Sequence, residues 1–236
     1  MVFKFSMNQN VNLSAELQMI VDQVNQAFEA KSAVRDITLS RSRTLIRYCA
    51  NSIRATHRGD DEEARTLLQT AREAAAEMVA DARQYPDIYH AGYTQDALKE
   101  LAEAHITRAV ILAQPLPTPE SLKVEDAAYL KGLAEAAGEL RRFALDALRQ
   151  GKVQQAENIL GHMNDIYSVL VTVDFPDAIT NGLRRTTDMV RGVLERTRGD
   201  VTTAVRQEAM KAALAEFEQR IGMTEFEQAH SDGSDT

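Results

Sequence analysis

Apolar residues recur at helical spacing from one end of the chain to the other. Leu13, Leu17, Ile20, Val21, Val24 and Phe28 follow one another at intervals of one to four, which lines them along one face of an α-helix. Asn12 or Ser14 can cap its start. No proline or glycine interrupts the pattern before Gly59, so the spacing predicts a first helix of more than forty residues. That exceeds ordinary globular helices and suggests one that crosses a bundle or enters a subunit interface.

The punctuation divides the rest into helices. Gly59-Asp60-Asp61-Glu62 reads as a C-cap followed by a new N-cap with acidic residues in its first turn. A second helix is expected over 62–83, ended by Tyr85-Pro86-Asp87, and a third over 87–112 with a short helix before it. Gln114-Pro115-Leu116-Pro117-Thr118-Pro119 cannot continue a helix and links two halves of one helical array. Further helices are expected over 124–149, closed by Gly151, and over 153–171. After the turn Asp174-Phe175-Pro176-Asp177, helices over 178–196 and 201–221 are separated by Gly199-Asp200. Residues 226–236 read as a disordered tail behind a single domain of residues 1–225. The fold class is all-α, with about seven helices and a very long first one.

Composition supports this picture. Alanine, leucine, glutamate and arginine dominate, and there are only 5 prolines and no tryptophan. The single cysteine, Cys49, excludes an intrachain disulfide and a cysteine zinc site, and points to a reducing cytoplasm. No stretch reaches the length of a membrane span, and the N-terminus lacks the pattern of a signal peptide. The net charge of −8 argues against a nucleic-acid partner only until the positions of the basic residues are considered.

Arg43, Arg47, Arg54 and Arg58 fall within a wedge of about 60° at about 100° per residue. They form a stripe some 20 Å long at about 1.5 Å per residue, matching the scale of a phosphate backbone. A solvated helix face would look the same. Glu100 with Glu103, and Glu135 with Glu139, each place two carboxylates on one helix face. Like charges so close repel unless a cation sits among them, and all-oxygen ligation suits Mg2+ or Mn2+. Glu73 and Glu77 have the same spacing in a stretch that reads as solvated, so spacing alone does not establish a site. His57, His90 and His105 receive no role.

Val34-Arg35-Asp36-Ile37-Thr38, followed by Ser42-Arg43-Thr44-Leu45, resembles the Ser-Arg-Asp-Ile-Thr and Arg-Thr-Ile of translin-associated factor X. Leu98-Lys99-Glu100-Leu101-Ala102-Glu103-Ala104 is similar to that family's Leu-Gln-Glu-Tyr-Val-Glu-Ala. Asp126 and the run from Tyr129 to Leu140 resemble its Asp-Tyr-Leu-Leu-Gly-Val-Ala-Asp-Leu-Thr-Gly-Glu-Leu. Gly182-Leu183-Arg184-Arg185 fits the penultimate helix more loosely. The ordered set, spanning about residues 10 to 222, resembles the translin family and its catalytic branch.

The resemblance implies an all-α protomer in a homo-oligomeric shell, commonly an octamer, that encloses RNA or single-stranded DNA. For the catalytic branch it implies a magnesium-dependent endoribonuclease acting on single-stranded RNA. Glu100, Glu103 and Glu135 would be the catalytic carboxylates, with Glu139 completing the metal set. Arg43, Arg47, Arg54 and Arg58 would hold the strand by its backbone. Gly138 would allow close helix packing, or is simply a tolerated helix glycine. One position departs: Glu135 stands where the family motif has aspartate, and the added methylene moves its oxygens by about 1 Å or more. Two other readings stay open, a nucleic-acid-binding shell without catalysis and an all-α nucleoside triphosphate pyrophosphohydrolase. The latter requires a second Glu-x-x-Asp pair that residues 135–139 do not supply.

Overall fold

The structure, a computed structural model, describes the backbone of residues 13–231 and the side chains of residues 13–221. The proposed cap at Asn12 lies outside the described residues. Every regular element among them is helical: α1 (Leu13–Arg58), α2 (Asp61–Ala82), α3 (Pro86–Tyr89), α4 (Gly92–Ile111), α5 (Pro119–Leu122), α6 (Asp126–Arg149), α7 (Val153–Leu170), α8 (Asp177–Thr180) and α9 (Leu183–Ser231). Three of these are single turns, so the long helices number six. None is long and apolar enough to cross a membrane.

The first helix runs unbroken for 46 residues. Its end is fixed by backbone hydrogen bonds from Gly59 to Thr56 and from Asp60 to Ala55. This closure needs the left-handed conformation that Gly59 adopts at φ 79. Asp60 then caps α2 by accepting from the Glu63 amide at 3.1 Å.

Helix α4 lies at the centre, packed against α1, α2 and α6. Leu98, Leu101, Ala102, Ala104, Ile106 and Ala109 bury nearly all its faces, the signature of a helix enclosed by others. Where α6 crosses it, Gly132 has no side chain. A Cβ there would stand 2.7 Å from the Lys99 carbonyl oxygen and 2.9 Å from the Glu103 amide nitrogen. The close-packing glycine is therefore Gly132. Gly138, the expected candidate, is exposed, and a Cβ on it would meet nothing within 4 Å.

Two boundaries differ from expectation. The chain does not break at Gly199-Asp200; α9 is continuous through it. Arg141 on α6 explains this, because its guanidinium donates to Thr197 Oγ1 at 3.0 Å and pairs with Asp200 at 2.8 Å. Those contacts pin both sides of the glycine to α6, and Val201 is buried just beyond. The break falls earlier, where Asn181 and Gly182 both take positive φ between α8 and α9. The second difference is at the C-terminus. α9 extends to Ser231, so residues 226–231 are helical where a tail was expected, and residues 232–236 lie outside the described residues.

Candidate functional site

The tight α4–α6 crossing at Gly132 positions the glutamates. Glu100 and Glu103 project from α4, and Glu135 projects from α6 one turn beyond the glycine. Ligand oxygens of these three all lie within 4.8 Å of one another. Glu103 is only 8% exposed. Burial first, then the charges of Glu100, Glu135 and Glu139, push its carboxyl up to about 8. Cys49 of α1 closes the inner side; burial and the charges of Glu100 and Glu103 push its thiol far up, so it is an inert wall.

The fourth glutamate is not among the three. Glu139 Oε2 lies 2.6 Å from His57 Nε2 on α1. That hydrogen bond, against the cost of burial, holds the Glu139 carboxyl below its usual range. Arg142 adds a weaker contact at 3.8 Å. The second pair is thus divided, with Glu135 facing α4 and Glu139 facing α1. His57, unassigned from the sequence, is the partner that divides it, and its Nδ1 is buried without a hydrogen bond.

A second contributor is Lys99. Its Nζ lies 2.5 Å from Glu135 and 3.1 Å from Glu100, and its side chain is 12% exposed. Burial works against the ammonium, but the two carboxylates outweigh it and hold the group above its ordinary range. No spacing rule marks this lysine, because neighbouring residues on a helix do not face each other. It reaches its partners through the crossing.

The donor set fits a small hard divalent ion. Three carboxylates from two rigid helices offer oxygen ligands only, the preference of magnesium and manganese. Burial first, and then the charges of Glu100 and Glu135, disfavour the ionised Glu103, and an added cation would favour it. Glu73 and Glu77 are exposed, with Glu73 bonded to Gln69 and Glu77 near Arg41. His105 is a packed histidine, its Nε2 buried without a partner. Burial, then Arg72 and Arg108, lower it to about 4. His90 is exposed against the edge of Tyr89.

Arg43, Arg47, Arg54 and Arg58 are all exposed. They lie opposite the face of α1 that buries Leu45, Cys49 and Thr56. Arg47 sits 5.8 Å from the Tyr48 ring centre, Arg54 donates to Asn51 at 2.7 Å, and Arg58 pairs with Glu63. On a helical projection His57 falls about 40° from the wedge, on the Cys49 side. His57, and through it Glu139, is therefore the acidic edge nearest the stripe, while Glu100 and Glu103 meet α1 on its Cys49 face.

No family model matches the chain. It is 30% identical over 197 residues to an uncharacterized protein of Methanocaldococcus jannaschii, a match covering 83% of this chain and 86% of that one. Among solved structures it is similar to AfC3PO, at 36% identity over 79% of this chain and 97% of that chain. The TM-score is 0.73 for the AfC3PO complex with duplex RNA and 0.72 for another AfC3PO structure. NeC3PO without ligand shares the fold at 20% identity and a TM-score of 0.71, over 78% of this chain and 96% of that one. The long first helix, the crossing at α4 and α6 and these likenesses agree: the chain belongs to the C3PO/translin family.

Proposed function

We propose that the protein is an RNA-binding member of the catalytic, translin-associated factor X-like branch, and that it cleaves RNA at the Glu100–Glu103–Glu135 cluster inside a homo-oligomeric shell. The observation that carries the catalytic reading is the convergence of three carboxylates within 4.8 Å around a buried Glu103. The RNA reading draws on the AfC3PO complex with duplex RNA and on the exposed arginine stripe of α1.

Glu100, Glu103 and Glu135 would hold a magnesium or manganese ion. Such an ion, when bound, activates water and offsets charge on the scissile phosphate. Arg43, Arg47, Arg54 and Arg58 would hold the strand by its phosphates, with little sequence preference. Glu139 is fixed by His57, so its role is to add negative potential at the cluster's edge rather than to complete the ligand set. The buried thiol of Cys49 suits a reducing cytoplasm.

Assembly is supported by apolar stripes left exposed among the described residues of the protomer. On α1, Leu17, Val21, Val24 and Phe28 are exposed, Phe28 by 65%; on α9, Met210, Leu214, Phe217 and Ile221 are exposed as well. Stripes this long on projecting helices favour burial against further copies of the chain, an octameric shell being the family's usual solution. Solution mass measured with and without Phe28→Glu tests the assembly.

A non-catalytic RNA- or single-stranded-DNA-binding shell is the second reading. The Lys99 ammonium on Glu135 favours it, because that charge already offsets part of the negative potential a metal would otherwise neutralise. Incubating single-stranded and duplex RNA with the wild type and with Glu100→Gln/Glu103→Gln, in magnesium, separates the two. Cleavage by the wild type alone supports the enzyme. RNA left intact by a binding-competent wild type leaves the second reading, and cleavage by the double variant sinks the site.

A further inference from the structure

Lys99 is the one cation that touches the carboxylate cluster among the described residues, and its position is set by the scaffold rather than by solvent. Its backbone carbonyl is held in the α4–α6 contact at Gly132. Its ammonium spans the crossing, 3.1 Å from Glu100 on its own helix and 2.5 Å from Glu135 on the other. These are two of the three residues whose oxygens converge. A divalent ion entering among those oxygens meets a positive charge a few ångströms away, and it must share the Glu135 carboxylate with an ammonium already bonded to its Oε2. The two cations cannot both keep their best contacts.

The ammonium also has somewhere to go. Lys99 lines a cavity of about 590 Å³ beside the cluster, together with Asp96 and Asp126. Asp96 lies three residues earlier on α4, on the same helix face, within ordinary reach of a lysine side chain. Rotation of the flexible four-carbon stem toward Asp96 would exchange one carboxylate partner for another without moving either helix.

We propose that Lys99 is the cluster's built-in counter-cation, that a divalent ion gains the site only by displacing the Lys99 ammonium from Glu135, and that this exchange sets the affinity of the site for metal. The inference rests on reading the cluster as a metal centre. It explains how the Glu100 and Glu135 carboxylates coexist when the ion is absent, and it makes metal loading a competition rather than the filling of a bare anionic pocket.

The test measures manganese binding by titration calorimetry to the full-length wild type, Lys99→Gln and Lys99→Arg, with helicity and solution mass as checks of folding. Removing the competing charge in Lys99→Gln should tighten binding by about tenfold, while Lys99→Arg stays close to the wild type. Equal or weaker binding by Lys99→Gln overturns the proposal and leaves the metal centre standing. No binding by any of the three overturns the metal centre and the proposal with it. A second readout uses the wild type alone and does not depend on a variant folding. Acetylation of Lys99, followed by mass spectrometry, should rise several-fold when manganese is added, as the ammonium leaves its half-buried ion pair. Labelling that is unchanged by manganese at concentrations where calorimetry shows binding overturns the exchange.

Discussion

His57 Nε2 donates a 2.6 Å hydrogen bond to Glu139 Oε2 across the α1–α6 interface. The bond fixes the roles of both groups: a carboxylate held below its usual range accepts, and the imidazole donates through Nε2. It also sets the composition of the candidate centre, because Glu139 is turned toward α1 while Glu135, one turn earlier, faces α4. His57→Ala would leave a half-buried carboxylate without its donor and should cost about 1–3 kcal/mol of unfolding free energy. His57→Gln, which can still donate, should recover part of that loss. Urea unfolding of the two variants at neutral pH makes the comparison, and equal stability of His57→Ala and wild type would show the bond to be incidental.

Gly132 and Gly138 lie on the same helix and should respond in opposite ways to alanine. At Gly132 the new methyl would stand under 3 Å from backbone atoms of Lys99 and Glu103, so α6 must move. The expected cost is about 1–3 kcal/mol, with a looser carboxylate cluster and weaker metal binding. At Gly138 the methyl meets nothing within 4 Å, and removing a flexible glycine from an exposed helix position should stabilise by about 0.5–1 kcal/mol. Thermal or urea unfolding reads both, and a neutral Gly132→Ala would mean that the crossing has slack.

The contrast between these glycines shows what the sequence discloses and what it withholds. Helix existence was legible from local pattern: the unbroken run from residue 13 to Gly59, the cap at Asp60 and the triple proline break all appear where spacing and turn chemistry put them. Three-residue spacing likewise put Glu100 and Glu103 on one face of α4, where their oxygens converge. What spacing cannot carry is the rotation of one helix against another. Gly132 and Gly138 are equivalent locally, and only the crossing distinguishes them. The same rotation decides that Glu139 meets His57 and that Lys99 meets Glu135, pairs separated by 82 and 36 residues. The missed continuity of α9 has a similar origin. Gly199-Asp200 is a sound local stop signal, overridden by Arg141 of α6 gripping Thr197 and Asp200.

If the stripe on α1 holds RNA through phosphates, its four arginines should each be visible in the salt dependence of binding. Arg43→Ala or Arg47→Ala should reduce the slope of log affinity against log salt by about 0.7 for single-stranded RNA. Arg58→Ala should have the smallest effect, because Glu63 already neutralises that guanidinium. Fluorescence anisotropy with a labelled oligonucleotide between low and moderate salt provides the slopes. Four variants with wild-type slopes would remove the stripe from the interface and leave it as a solvated face.

The Glu103 carboxyl gives the metal-free protein a pH dependence of defined sign. Its folded value, about 8, lies above the unfolded 4.5, so the folded state holds a proton the unfolded state has lost. Stability is fully present below about 4.5 and declines as pH rises through 8, by up to about 1.4 kcal/mol per unit while the group titrates. His105 has the opposite sign. Its folded value of about 4 lies below 6.5, so its contribution is lost as pH falls from 6.5 toward 4. The two oppose each other in acid, which leaves pH 6.5 to 8.5 as the window where Glu103 acts without that interference. Urea unfolding in the presence of a chelator should show stability falling across this window. Glu103→Gln, which stays neutral, should flatten the slope. Saturating manganese should flatten or reverse it as well, since an added cation favours the ionised carboxylate of the folded state. A slope that survives in Glu103→Gln would assign the titration to another group and separate the buried glutamate from the electrostatics of the cluster.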